Sequence, residues 1–103
     1  MASVPSGTDW ASDPEHRDVM RARLILRDGP WCHYCRRRFS SRGRRASFEH
    51  IWPRAMGRID LDWNLVLACR DCNSARGTNL AACSCEWCRT AISRAQGVLG
   101  VAA

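Results

Sequence analysis

The sequence contains no lysine, and all sixteen of its basic side chains are arginine. Arginine meets phosphate oxygens through a planar fork, whereas lysine acts as a point charge, so an all-arginine chain suits a polyanionic partner. A GC-rich coding bias produces the same replacement without functional cause, and the missing lysine is open to both explanations. That bias does not account for the formal net charge of +6. Long apolar runs are also missing. The longest, such as Leu24-Ile25-Leu26 and Leu65-Val66-Leu67-Ala68-Cys69, are too short to cross a bilayer. The polar stretch from Met1 to Asp13, with Pro5 and Gly7 in it, does not resemble a signal peptide. These absences count against membrane-spanning and secreted classes, so a cytoplasmic location with reduced thiols is the expectation. Internal repeats and low-complexity blocks are absent as well.

What is present in excess is cysteine, with seven in 103 residues. A chain of this length holds one small core, and such cores are often reinforced by a metal or by disulfides. Cys32-x-x-Cys35 and Cys69-x-x-Cys72 each present two thiolates on one side of an ion, and together they fill a tetrahedron. This predicts a closed, structural Zn²⁺ site with no open position for water. A redox dithiol or buried free thiols are the alternatives. Four thiolates around zinc remove about two positive charges, which leaves the chain basic. His33, inside the first pair, is expected near the surface or behind the ligands, not as a ligand. Cys83, Cys85 and Cys88 leave several readings open: a second zinc completed by His16 or His33, a bridge between chains, inert buried thiols, or a rival partner for the first pair.

Pattern along the chain indicates a small α+β fold, a zinc-stapled finger with an N-terminal and a C-terminal helix. Residues 1–11 read as a flexible arm, 12–95 as a single domain and 96–103 as a frayed tail. The first helix is expected to start at Ser12-Asp13-Pro14-Glu15, with Ser12 and Glu15 in capping-box spacing. Val19, Ala22 and Leu26, beside Leu24 and Ile25, form its apolar side, and Gly29 suits a left-handed cap. This helix reads as a packing element in preference to a DNA contact. Beyond it come a short strand over 46–51, a loop over 53–60, an apolar strand or turn over 65–68, a helix from Cys72 to near Gly77, and a helix within 80–95.

Between the cysteine pairs lies a polar set. Phe48-Glu49-His50-Ile51-Trp52-Pro53-Arg54 is followed by Asn64-Leu65 ahead of Cys69, then by Cys72-Asn73-Ser74-Ala75-Arg76-Gly77. Phosphodiester hydrolysis requires a base to activate water and a cation to neutralise charge on the oxygens. His50 ordinarily titrates near neutral pH, and Glu49 and Asn73 offer oxygen ligands suited to Mg²⁺. Each alone fits a structural role; Asn73, for example, can cap the helix it begins. Glu49 and His50 also sit next to each other on a strand, where regular pleating sends them to opposite faces.

These elements, in this order, resemble the HNH (ββα-metal) nuclease family in its zinc-knuckled subgroup, over residues 31–77. The resemblance implies a metal-dependent DNA endonuclease in which His50 is the general base. It implies that Glu49 and Asn73 ligate a catalytic Mg²⁺ or Mn²⁺, and that Asn64 holds the loop that orients His50. Glu49 stands where Asp is more usual, Asn73 where the family's last His gives it its name, and Arg76 where Lys is more usual. The last change is compatible with phosphate contact. Arg36, Arg37, Arg38, Arg42, Arg44 and Arg45, together with Arg54 and Arg76, are candidate DNA contacts. A solvated charged loop, or charge balance for the thiolates, is the plainer reading of the Arg36–Arg45 run. Small free-standing family members occur in phage genomes beside packaging genes, so a homodimer or a larger assembly is a further expectation. A catalytically silent DNA-binding module is the runner-up.

Overall fold

The computed structural model describes residues 13–40 and 46–101. Helix α1 spans Pro14–Asp28, strand β1 Ala46–His50, strand β2 Leu65–Cys69, helix α2 Arg70–Arg76 and helix α3 Glu86–Leu99. The architecture is α+β, with three helices around one two-stranded antiparallel sheet. No helix among the described residues is long and apolar enough to cross a membrane.

Asp13, not Ser12, caps α1: its carboxylate accepts from the backbone N–H groups of Glu15 and His16 at 2.8 and 3.4 Å. Ser12 and the expected arm over 1–11 lie outside the described residues. The buried face of α1 only partly matches the expected one: Leu24 and Ile25 belong to it, Ala22 and Leu26 do not. Met20 and Leu24, one turn apart, are buried, whereas Ala22 is exposed and Leu26 is 87% exposed. Position, not hydrophobicity, decides, because only one stripe of the helix faces β2. Gly29 ends the helix with a positive φ of 90°, although its ψ of 170° is not that of a left-handed cap.

Strand β2 alternates between two cores. Leu65 and Leu67 pack with Met20 and Leu24 of α1, while Val66 packs with Ile51 and with Cys88 and Ala91 of α3. Burial on both faces explains why β2 reads as an unbroken apolar run. Beneath α3, a third cluster joins Trp52, Ile59 and Ala95. The loop between the strands contains a short 3₁₀ turn, Arg54–Met56, and ends in another, Asp62–Asn64. Gly57 lies in this loop at φ 132°, a conformation that residues with a side chain rarely adopt. Helix α3 starts six residues later than the expected 80 and runs into the expected tail as far as Leu99, where Gly100 caps it in a left-handed conformation, φ 67°.

A two-stranded ribbon has two free edges, and here three side chains and one backbone N–H close them. Phe48 pairs with Leu67 and His50 with Leu65. On the β1 edge, Asn73 Nδ2 donates to the Phe48 carbonyl at 3.1 Å and Arg76 to the His50 carbonyl at 2.8 Å. On the β2 edge, the His33 N–H donates to the Leu67 carbonyl at 2.9 Å and Arg27 to the Leu65 carbonyl at 2.6 Å. Unmet carbonyls of this kind, once buried, are costly. Truncating Leu24 to Ala should destabilise the protein by about 2–5 kcal/mol through lost transfer and cavity energy. Urea unfolding checks this, and an unchanged midpoint contradicts the packing described for α1.

Candidate active site and metal centre

The four cysteines of the paired C-x-x-C turns converge, each ligand atom within 4.8 Å of the others. Cys35 Sγ and Cys69 Sγ are 4.0 Å apart, close to the edge of about 3.8 Å in a tetrahedron with Zn–S bonds of about 2.3 Å. The N–H groups of Tyr34 and Cys35 point at Cys32 Sγ at 3.4 and 3.5 Å, which favours the thiolate. Arg36 supports the turn in a left-handed conformation, φ 64°, and its N–H returns to the Cys32 carbonyl at 3.0 Å. Hydrogen bonds from the Arg37 backbone and side chain pull the Cys35 thiol down to about 6. The geometry and chemistry of this set can hold zinc.

A cleft of about 310 Å³ lies beside the strand end, lined by residues that include Glu49, His50, Arg54 and Asn73. Three consecutive β1 residues, Phe48, Glu49 and His50, border it. Strand pairing stays in register through His50 opposite Leu65. The pleat is therefore unbroken along the three residues that border the cleft.

His50 Nε2 lies 2.6 Å from Asp60 Oδ1, and Asp60 is buried and also bound by Arg58 Nε at 2.5 Å. Burial pushes the His50 pKa below its ordinary value, and Asp60 opposes that shift. The imidazole is therefore biased towards neutrality at pH 7, with its Nε2 occupied by the carboxylate. Asn64, fully buried, spans the same loop: its Oδ1 accepts from the Trp52 N–H at 2.7 Å, and Nδ2 donates to the carbonyls of Trp52 and Ile59 at 3.2 and 2.9 Å. Asp60 directly follows Ile59. The sequence reading missed it because an isolated Asp in a loop gives no signal, even though it is the group nearest the histidine.

Glu49 is buried beside Tyr34 and Arg76, at 3.3 Å from the Tyr34 hydroxyl and 3.4 Å from Arg76 NH1. Burial pushes its carboxyl up, and the Arg76 charge opposes this. Its charge in turn joins burial in raising the Tyr34 hydroxyl well above its usual range. Asn73 Nδ2 donates to Ser47 Oγ at 3.0 Å as well as to Phe48, and neither bond uses its Oδ1. Glu49 and Asn73, residues that carry an acidic and an amide oxygen, thus border one cleft, and oxygen donors of this kind suit a hard divalent ion.

The arginines divide. Arg36 and Arg38 are exposed, Arg54 is exposed at the cleft, and Arg37 is engaged with the Cys35 thiol. Arg42, Arg44 and Arg45 lie outside the described residues. Arg76 differs from the expected phosphate contact. It is buried, donating to the carbonyls of His50, Ile51 and Asn79 at 2.8, 2.5 and 3.0 Å, so its guanidinium closes the strand edge.

Of the two candidates for completing the second cysteine group, His16 and His33, the structure brings His33 to it. His33 does not sit behind the first cysteine set but faces Cys83, Cys85 and Cys88. His16 instead lies 3.8 Å from Asp13.

A family model described as HNH endonuclease matches residues 32–79. No curated protein and no solved structure matches the chain. Replacing Cys72 with Ser should lower zinc content by one equivalent and lower the thermal midpoint, since metal binding at such sites is part of the folding free energy. Metal analysis and calorimetry check this; an unchanged zinc content contradicts the ligand assignment.

Proposed function

We propose that this chain, which carries an HNH endonuclease family domain over residues 32–79, is a metal-dependent endonuclease that hydrolyses DNA phosphodiester bonds. The observation that carries the reading is the convergence of Glu49, His50 and Asn73 on one cleft inside the family segment. His50 is the general base. With Nε2–H donated to the Asp60 carboxylate, Nδ1 keeps its lone pair and can accept a proton from the attacking water. Asp60 is a positioning residue that fixes the tautomer, and Asn64 holds the loop that presents it.

Glu49 and Asn73 would hold Mg²⁺ or Mn²⁺. Such an ion, when bound, supplies Lewis-acid stabilisation of charge on the phosphate and on the leaving oxygen. Tyr34 and Arg76 keep Glu49 aimed from within the core. Arg54 at the cleft, with Arg36 and Arg38 on the exposed turn, supplies charge-assisted contacts to the DNA backbone and none that reads sequence. The products implied by the family resemblance are a 5′-phosphate and a 3′-hydroxyl. The four-cysteine zinc is structural.

Nicking of supercoiled plasmid in Mg²⁺ or Mn²⁺, abolished by EDTA, tests the activity. His50→Ala should lower the nicking rate by about 100-fold or more, the usual range for loss of a general base, with zinc content unchanged and the fold retained. Cleavage by this variant at the wild-type rate overturns the assignment.

A further inference from the structure

We propose a second structural zinc site, formed by His33, Cys83, Cys85 and Cys88, which ties the C-terminal helix to the first cysteine turn. His33 Nε2 lies 3.3 Å from Cys88 Sγ, 3.6 Å from Cys85 Sγ and 3.9 Å from Cys83 Sγ. With bonds of about 2.3 Å to sulfur and 2.0–2.1 Å to nitrogen, a tetrahedral zinc places S and N ligands about 3.5 Å apart. The observed separations bracket that value. All four ligand atoms lie within 4.8 Å of one another, as they do in the first set.

The local backbone repeats that of the first set. Cys85 caps α3, and the Cys88 N–H points at Cys85 Sγ at 3.4 Å, just as the Cys35 N–H points at Cys32 Sγ at 3.5 Å. Three free thiols around one imidazole cannot all pair as disulfides, whereas one zinc uses every one of them. The two sites then account for all seven cysteines.

Except for His33, the site lies beyond the family segment, which ends at residue 79. The turn 32–35 becomes a double hinge plate: Cys32 and Cys35 lock it to β2 and α2, and His33 locks it to α3. Cys88 is buried against Ile51, Val66 and Ala91, so the metal anchors the helix where it covers the sheet. Tyr34, the next residue, bonds Glu49, so the second site also steadies the floor of the cleft.

Metal analysis of the full chain, purified without chelator under reducing conditions, should find two zinc ions per chain. Zinc X-ray absorption on the same wild-type sample should give seven sulfur neighbours to one nitrogen across the two ions. The double variant C83S/C85S should retain one zinc in an all-sulfur environment. One zinc per wild-type chain with purely sulfur ligation overturns the proposal, as does two zinc ions with no nitrogen neighbour. The absorption measurement needs no variant, so misfolding of C83S/C85S does not protect the proposal.

Discussion

The structure depends on closing the edges of a ribbon only two strands wide. A larger sheet covers its outward carbonyls with further strands. Here Asn73 and Arg76 cover the β1 edge, and the His33 backbone and Arg27 cover the β2 edge. Those donors arrive from three separate segments, and each must be held in place. Helix α1 is held by Met20 and Leu24, and the 32–35 turn and the start of α2 by the four-cysteine set. The metal centre and the sheet edges are therefore parts of one arrangement.

The same closure builds the cleft. Asn73 uses its amide nitrogen on the strand edge and lines the same cleft as Glu49. Arg76 reaches the His50 carbonyl and the Glu49 carboxylate with one guanidinium nitrogen. Structural and site roles are thus shared by single side chains. The polar groups are held from below by buried hydrogen bonds, and the exposed surface contributes mainly arginines.

Much of this was legible in the sequence, for physical reasons. Ligand spacing in Cys32-x-x-Cys35 and Cys69-x-x-Cys72 is a local property, so the convergence of the four sulfurs could be expected. The apolar run 65–68 left a strand or a turn open, and it is a strand, buried along most of its length. Properties that depend on three-dimensional approach were not visible. Burial of Leu24 in place of Leu26 depends on which stripe meets β2, and Arg76 reads as a surface charge until α2 is laid along β1. Asp60 carries no pattern of its own, yet it lies 2.6 Å from His50. For Cys83, Cys85 and Cys88 the sequence left His16 and His33 both open, and packing of α3 selects His33.

The central claim is that Glu49 and Asn73 hold a divalent ion beside His50, separate from zinc. Manganese binding followed by electron paramagnetic resonance on zinc-loaded protein tests it directly. Glu49→Gln keeps the size of the side chain and removes the charged oxygen. The account predicts that wild-type protein quenches the free Mn²⁺ signal and that the variant loses this binding while keeping its zinc. Equal Mn²⁺ binding by the two proteins would contradict it.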